Sequence, residues 1–181
     1  METKPTLLLV EDNLDDAVLF KLALSKTFPK TGLELAHDVT QAIHYLESSG
    51  PYQERHAFPF PYAIVVDLSL PGISGANFVQ WIRGQPEFGK LLIVAWTGSR
   101  EGKDIARLFR LGANSFLAKT ASTEQLAKEI RELHEFWHKV GMLVDFIPQI
   151  DYSMKPVHTH KREFFVRSKD WPGFEPPKAG Q

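Results

Sequence analysis

The sequence predicts an α/β fold in which a doubly wound, five-stranded parallel sheet is covered by helices on both faces. Five short apolar runs alternate strictly with segments of helical periodicity, which is the pattern of consecutive β-α units. The runs at residues 63–66 and 91–96 are continuously apolar, as expected of strands that are buried on both faces. Leu-Pro-Gly and Ser-Gly follow the run at 63–66 and break the chain before the next helix.

The predicted strands are short. They are assigned to residues 6–10, 33–36, 63–66, 91–96 and 115–118. The second is half polar, which suits the edge of a sheet. The predicted helices lie between Asn13 and Pro29, over residues 39–48, 76–83 and 100–111, and from Ser122 to residue 140. Residues 50–61 contain three prolines and form a long loop.

Polar residues are placed to start the first and last helices. Asn13 can cap the first helix, and acidic residues follow it in the first turn. Ser122 and Gln125 resemble a capping box at the start of the last helix. The buried side of the first helix is assigned to its apolar residues Ala17, Val18, Leu22, Leu24 and Phe28.

Composition limits the class of protein. The chain has 181 residues and a formal net charge of −1, so no overall field recruits DNA or a membrane surface. The absence of cysteine excludes disulfides, thiolate metal sites and cysteine nucleophiles. No apolar run reaches membrane-spanning length and the polar start lacks a signal-peptide core, so a cytoplasmic protein is expected.

The chain changes character after residue 139. Residues 140–181 are rich in proline and aromatics and lack a clear period, whereas the preceding part is long enough for one domain. We therefore predict one domain over residues 1–139 and a C-terminal extension over residues 140–181. The extension has six Lys or Arg against five Asp or Glu and no helix-turn-helix pattern, so DNA binding is not expected.

Polar side chains follow four of the predicted strands. Glu11 and Asp12 come after the first strand, and Asp67, Thr97 and Lys119 come after the third, fourth and fifth. Because the carboxyl ends of parallel strands share one edge of the sheet, we expect these side chains to converge. Any one of them alone is more often a turn former or a solvated residue, but their coincidence on four strands favours a site.

The expected cluster suits phosphoryl transfer. Three neighbouring carboxylates repel one another and require a divalent cation, and oxygen ligands favour Mg²⁺. A carboxylate can also act as the nucleophile toward a phosphoryl group. A lysine and a threonine supply the positive charge and the hydrogen-bond donor that stabilise the oxygens of the transferred group.

Four short segments, in order, resemble the receiver domain of two-component response regulators. They are Val-Glu-Asp-Asn at 10–13, Val-Asp-Leu-Ser-Leu-Pro-Gly at 66–72, Thr-Gly-Ser at 97–99 and Phe-Leu-Ala-Lys at 116–119. The resemblance spans residues 6–139. It implies a flavodoxin-like receiver fold with strand order 2-1-3-4-5, an order for which a chemotaxis receiver is a standard example.

The resemblance implies a role for each residue in phosphoryl transfer. Asp67 would accept the phosphoryl group from a phosphohistidine of a sensor histidine kinase. Thr97 and Lys119 would contact that group. Phe116 occupies the position of the aromatic side chain that rotates on phosphorylation in this family.

The same resemblance implies a Mg²⁺ site. Asp12 and Asp67 would bind the ion together with the carbonyl of Ser69. Glu11 would act through a metal-bound water. Mg²⁺ is therefore the cofactor that we expect.

Within the receiver family, one smaller group of proteins resembles this sequence in further segments. Residues 119–122, residues 135–137 and the loop at 50–61 resemble those of stand-alone receivers that partner phytochrome-type histidine kinases.

The family's usual interaction surface is the face of the fourth helix, fifth strand and fifth helix, which includes Phe109 here. We expect a homodimer through this face or the aromatic extension; an extension folded back on a monomer is the alternative.

Two residues bear on how the site is built. Where the family has a proline after the lysine, joined by a cis peptide, this chain has Thr120. The loop must therefore carry a strained cis bond or turn differently. Trp96 stands directly before Thr97, and we interpret it as a core aromatic on a buried strand.

Other functions remain open from the sequence. Haloacid-dehalogenase-like phosphatases use a similar Asp, Thr or Ser, and Lys with Mg²⁺, but carry the nucleophile on the first strand and a second Asp where this chain has Ser69. A receiver-like adaptor that works without phosphorylation is another alternative. His134 and His138 have metal-ligand spacing on one helix face but lack the flanking residues of a hydrolytic site, so a solvated face is preferred.

Overall fold

The computed structural model describes residues 5–98 and 102–139. The C-terminal extension and Ser99 of the third family segment lie outside the described residues. The domain boundary at residue 139 therefore stays a prediction. Among the helices of the two described ranges, none has the length and apolar character needed to span a membrane.

Strands and α-helices alternate along the described chain. The strands are β1 (Thr6–Val10), β2 (Gly32–Ala36), β3 (Ala63–Asp67), β4 (Leu92–Thr97) and β5 (Ser115–Ala118). The helices are α1 (Leu14–Thr27), α2 (Val39–Glu47), α3 (Gly75–Gly84), α4 (Gly102–Leu111) and α5 (Thr123–Lys139). All strand pairs are parallel in the order β2-β1-β3-β4-β5, so the predicted fold class and strand order are confirmed.

The sheet is buried between two helical layers. Along β1, Leu7 and Leu9 belong to a core with residues of α1 and α5, and Leu8 and Val10 to a core with residues of α2 and α3. Successive side chains of a strand point to opposite faces, so both sets must be apolar when both faces are covered. The continuous apolar runs of the sequence have this physical origin.

The predicted buried side of α1 is partly wrong. Ala17 and Leu24 are buried as predicted, together with Phe20 and Ala23. Val18 and Leu22 instead lie on another face and are 57% and 51% exposed. Leu14 continues that face at 63% exposure, at the spacing of four residues that aligns side chains along a helix. The helix therefore carries two apolar stripes, of which one packs on the sheet.

The capping box at the start of α5 forms only in part. Ser122 Oγ accepts a hydrogen bond from the amide of Gln125 at 3.2 Å, as predicted. The side chain of Gln125 does not return to Ser122 but donates to Glu129 at 3.0 Å. The Ser122 amide donates to Thr120 Oγ1 at 3.2 Å, so the threonine takes the role expected of the glutamine.

The loop at residues 50–61 is tied to α2. The Arg55 guanidinium donates to the carbonyls of Tyr45 at 2.8 Å and Leu46 at 2.6 Å, near the end of that helix. The Tyr45 hydroxyl in turn donates to the Pro59 carbonyl at 2.6 Å. The Tyr45 carbonyl also accepts a hydrogen bond from the Ser48 amide, whereas the Leu46 carbonyl lies in the last turn, where carbonyls have no partner within a helix. The long loop of the sequence is thus an ordered segment.

Candidate functional site

The strand ends converge as the sequence predicts. β1 and β3 are hydrogen-bonded neighbours, and the chain leaves them at Glu11-Asp12 and at Asp67. Carboxylate oxygens from Glu11, Asp12 and Asp67 lie within 4.8 Å of one another. Glu11 and Asp67 are buried and Asp12 is exposed, so the cluster is a buried pair of carboxylates with one acid at its mouth.

The ammonium group of Lys119 lies among the carboxylates. It donates to Glu11 Oε2 at 2.8 Å and to Asp67 Oδ2 at 2.9 Å. Its third hydrogen bond goes to Asp16 Oδ2 at 2.8 Å. A lysine ammonium has three donors, so these acceptors account for all of them. The predicted convergence of Lys119 with the acidic residues is confirmed.

Burial and hydrogen bonding shift the pKa values of Glu11 and Lys119. Burial raises the pKa of Glu11 above its ordinary value, although the hydrogen bonds from Lys119 and from the Asn13 amide oppose that shift. Burial alone would lower the pKa of Lys119, but its hydrogen bonds to Asp16, Glu11 and Asp67 raise that pKa well above the ordinary value. Lys119 is therefore fully charged at neutral pH.

Backbone amides hold the remaining oxygens of the two buried carboxylates. The Ser69 amide donates to Asp67 Oδ1 at 2.9 Å, and the Asn13 amide donates to Glu11 Oε1 at 3.0 Å. Each carboxylate thus has one oxygen on an amide and the other on Lys119. These hydrogen bonds fix the orientation of the two groups before any ligand arrives.

The oxygen donors fit a divalent metal ion. Hard cations such as Mg²⁺ and Mn²⁺ prefer carboxylate, carbonyl and water oxygens. Glu11, Asp12 and Asp67 offer carboxylates at one point, and Asp12 opens that point to water. These residues would hold the ion. The Ser69 carbonyl as a further ligand stays a prediction.

Thr97 and Phe116 lie beside this cluster. Thr97 is buried at the end of β4, and its carbonyl accepts a hydrogen bond from the Lys119 amide at 2.8 Å. Phe116 is half-buried on β5 and packs against a small core of Ala95, Leu108 and Ala113. The phosphoryl contact of Thr97 and the rotation of Phe116 stay predictions.

The loop after Lys119 turns without a cis bond. All peptide bonds in residues 5–98 and 102–139 are trans, including the one between Lys119 and Thr120. The sequence allows either a strained cis bond or a different turn after Lys119, and the structure has a turn with a trans bond. Thr120 contributes its hydroxyl to that turn through the hydrogen bond from the Ser122 amide.

Sequence reasoning missed one contact of the site and underestimated another. Asp16 is one of the acidic residues that the sequence places in the first turn of α1, and the structure shows that it is also a partner of Lys119. Its position beside the Glu11-Asp12 pair was the signal available. Trp96 is a core aromatic, as predicted, at 1% exposure. Its ring also lies beneath the Lys119 ammonium, with the nitrogen 4.9 Å from the ring centroid, a cation–π contact.

Of the two histidines on α5, the structure describes the side chain of His134 alone. The His134 ring packs on Phe28, with centroids 4.2 Å apart, and the side chain of His138 lies outside the description. Within the described ranges, the group of metal-ligating residues that converges is the acidic one at the strand ends.

Comparison with known families identifies the family of the chain. Residues 7–131, well over half of the chain, match the family described as "Response regulator receiver domain". The chain belongs to this family. Receivers are signalling proteins that are typically phosphorylated on an aspartate with Mg²⁺, and they bind divalent metal at an acidic pocket. The phosphatase alternative is not supported, because this receiver carries its nucleophile candidate after the third strand.

This receiver is similar to phytochrome response regulators. Response regulator Rcp1 from Synechocystis sp. is 28% identical over 131 residues, which cover 72% of this chain and 87% of Rcp1. The solved structure of its Mn²⁺-bound form has a TM-score of 0.63 at 27% identity and covers 74% of this chain and 94% of its own.

Two further solved structures extend the comparison. RPA3017, a response regulator in red light signalling of R. palustris, has a TM-score of 0.69 at 26% identity and covers 74% of this receiver and 93% of its own chain. The phosphorylated cyanobacterial phytochrome response regulator RcpA has a TM-score of 0.65 at 27% identity, covering 75% and 95%. The predicted similarity to phytochrome-associated receivers is confirmed.

Gly75 gives a first test of how the receiver positions Asp67. It is buried at the start of α3, and a Cβ there would overlap the carbonyl oxygen of Asp67 and lie 2.9 Å from Leu68 Cα. Gly75→Ala should displace the Asp67 loop. We expect it to lower the free energy of unfolding by about 1–3 kcal/mol, measured by urea denaturation, and to weaken metal binding.

Gly84→Ala is the matched control, because it lies at the other end of α3 and a Cβ there has no neighbour within 4 Å. It should leave stability unchanged or raise it slightly. Equal behaviour of the two variants would contradict the close approach of α3 to Asp67.

Proposed function

We propose that Asp67 accepts a phosphoryl group from the phosphohistidine of a sensor histidine kinase in a Mg²⁺-dependent reaction. The observation that carries this proposal is the contact between Asp67 and the Lys119 ammonium, made beside the carboxylates of Glu11 and Asp12. A nucleophilic carboxylate, a fixed positive charge and a set of metal ligands are the parts that phosphoryl transfer requires.

The residues divide the work of the transfer. An oxygen of Asp67 attacks phosphorus, and the bond from phosphorus to the donor's imidazole nitrogen breaks. Lys119 stabilises the negative charge of the transferred group, and Thr97 donates a hydrogen bond to it. Asp12, Asp67 and the Ser69 carbonyl would hold Mg²⁺ beside Glu11, and the ion would supply further positive charge at the phosphoryl oxygens.

Thr97 and Phe116, at the end of β4 and on β5, are the residues assigned to the response to phosphorylation. The Lys119 amide is bonded to the Thr97 carbonyl, so movement at either strand end is passed to its neighbour. Phe116 lies on β5 three residues before Lys119 and is half-buried, so the core does not enclose its whole side chain. We propose that Thr97 and Phe116 act as the switch pair.

Phosphorylation chemistry tests the proposal directly. Incubation with acetyl phosphate and Mg²⁺, read by intact-mass spectrometry, should add one phosphoryl group to the natural chain and none to Asp67→Asn. A chelator should abolish the reaction, because phosphoryl transfer needs a metal ion to neutralise the charge that develops on the phosphoryl oxygens. Asp15→Asn, outside the cluster, is the control and should react normally.

Three outcomes would contradict this assignment. Phosphorylation that persists in Asp67→Asn would place the acceptor elsewhere. Phosphorylation without a divalent cation would remove the metal from the mechanism. A natural chain that never accepts the group would favour the adaptor that works without phosphorylation.

A phytochrome-type histidine kinase is the proposed donor. The similarity to RcpA and to the red light response regulator RPA3017 supports this choice. The exposed stripe of Leu14, Val18 and Leu22 on α1 begins directly beside the acidic cluster and is a suitable apolar contact surface. A kinase that seats on it would bring its phosphohistidine to Asp67.

Substitutions in the stripe separate docking from chemistry. The double variant Val18→Glu with Leu22→Glu should slow phosphotransfer from purified phytochrome-type kinases, phosphorylated with radiolabelled ATP, by about tenfold or more. Its reaction with acetyl phosphate should be unaffected. Gln80→Glu is the control, because Gln80 is an exposed residue of α3, on the opposite face of the sheet. This variant should react normally with both donors. Equal loss with both donors would show damage to the site and would contradict the docking role.

We further propose a cytoplasmic signalling protein, because the kinase that supplies its phosphoryl group draws on cellular ATP. Its chemistry is limited to its own phosphorylation and dephosphorylation.

We propose that it acts as a homodimer, with the face of α4, β5 and α5 or the C-terminal extension forming the contact. The half-buried rings of Phe109, Phe116 and Phe136 support the use of this face.

Light scattering tests the assembly. The full chain should be a dimer, and a chain ending at Lys139 should be a monomer if the extension joins the protomers. A dimer that survives the truncation would assign the interface to the receiver alone. A monomer at every concentration, phosphorylated or not, would end the dimer proposal.

A further inference from the structure

We propose that Asp16 is a positioning residue that tunes the metal affinity of the acidic cluster by holding Lys119 when the ion binds. The inference rests on the metal site of the proposed function and concerns a residue outside the predicted ligand set. Asp16 lies on α1, and its carboxylate does not belong to the group of oxygens formed by Glu11, Asp12 and Asp67.

The argument begins with competition for the same carboxylates. Lys119 occupies one oxygen of Glu11 and one of Asp67, at 2.8 and 2.9 Å. A divalent cation at the cluster attracts these two carboxylates and repels the ammonium. Metal binding therefore weakens two of the three hydrogen bonds of Lys119. The free energy that this costs subtracts from the affinity for the ion.

Two contacts of Lys119 do not depend on the ligand set. The hydrogen bond to Asp16 is as short as the one to Glu11, at 2.8 Å. The face of Trp96 lies beneath the ammonium at 4.9 Å. Asp16 and Trp96 thus keep the charge partnered while the ion takes the other carboxylates, and the loss on displacement is smaller.

Exposure sets the direction of the movement. The Asp16 side chain is 36% exposed, whereas that of Glu11 is fully buried and that of Asp67 is 5% exposed. A shift of the ammonium toward Asp16 is therefore a shift toward water, which lowers the cost of separating it from the buried acids. Asp16 provides the outward position for Lys119.

Magnesium titration calorimetry on the full chain tests this role. Asp16→Asn should weaken Mg²⁺ binding by about tenfold, the size of effect that partners of ligands have at metal sites. Asp15→Asn removes the same charge from the same turn of α1 without a contact to Lys119 and should weaken binding less than about twofold. Asp16→Glu, which keeps the carboxylate, should recover part of the loss.

A double-mutant cycle with Lys119→Met separates positioning from simple charge. If Asp16 acts through Lys119, adding Asp16→Asn to Lys119→Met should cause no more loss than Asp15→Asn does in the same background. The Mg²⁺ concentration for half-maximal phosphorylation should shift by the calorimetric factor in Asp16→Asn.

The inference is overturned if Asp16→Asn and Asp15→Asn weaken binding equally, or if the loss in Asp16→Asn persists without Lys119. Tighter binding in Asp16→Asn would overturn it as well. Failure of the proposed function has a different signature, since the natural chain itself would then bind no Mg²⁺ or leave Asp67 unphosphorylated.

Discussion

The ammonium of Lys119 is the charge on which the acidic edge of this sheet depends. Glu11 and Asp67 are buried, and anions at that depth are stable only beside a positive charge and with their oxygens hydrogen-bonded. Lys119 supplies this charge from β5, which is separated from β3 by β4. Its side chain reaches the carboxylates over the ring of Trp96, which lies on the intervening strand β4. The strand order thus brings the positive charge of Lys119 to the carboxylates of Glu11 and Asp67.

The fold fixes the carboxylates through backbone contacts in addition to the ion pairs. Backbone amides of Ser69 and Asn13 each hold one oxygen, and α3 begins against the peptide of Asp67 with no room for a side chain at Gly75. Little reorganisation remains for the moment when a phosphoryl group arrives, which is the condition for effective electrostatic stabilisation. Asp12 is the exposed member of the cluster and gives water and ions access to it.

The fold and most of the acidic cluster could be predicted because both follow from strands. A strand buried on both faces is apolar throughout, and where it ends the next side chain must lie at the edge of the sheet; Asp67 and Lys119 follow from that rule alone. The contact of Asp16 could not be predicted in this way, since it comes from a helix and depends on the rotation of α1. The same rotation decides that Val18 is exposed and Ala17 buried, although both are apolar. The bond from Gln125 to Glu129 reflects a local competition that residue types do not determine.

The hydrogen bonds of Arg55 give the long loop a property that its composition conceals. The guanidinium joins the end of α2 to residues 50–61, and Tyr45 closes the other side by bonding Pro59. The loop leads into the start of β3, so it lies at the edge of the sheet opposite Asp67. The backbone of this loop is already ordered, so the binding of another molecule there would cause little further loss of conformational entropy. The protein thus has a preorganised surface at the edge of the sheet that is remote from the acidic cluster.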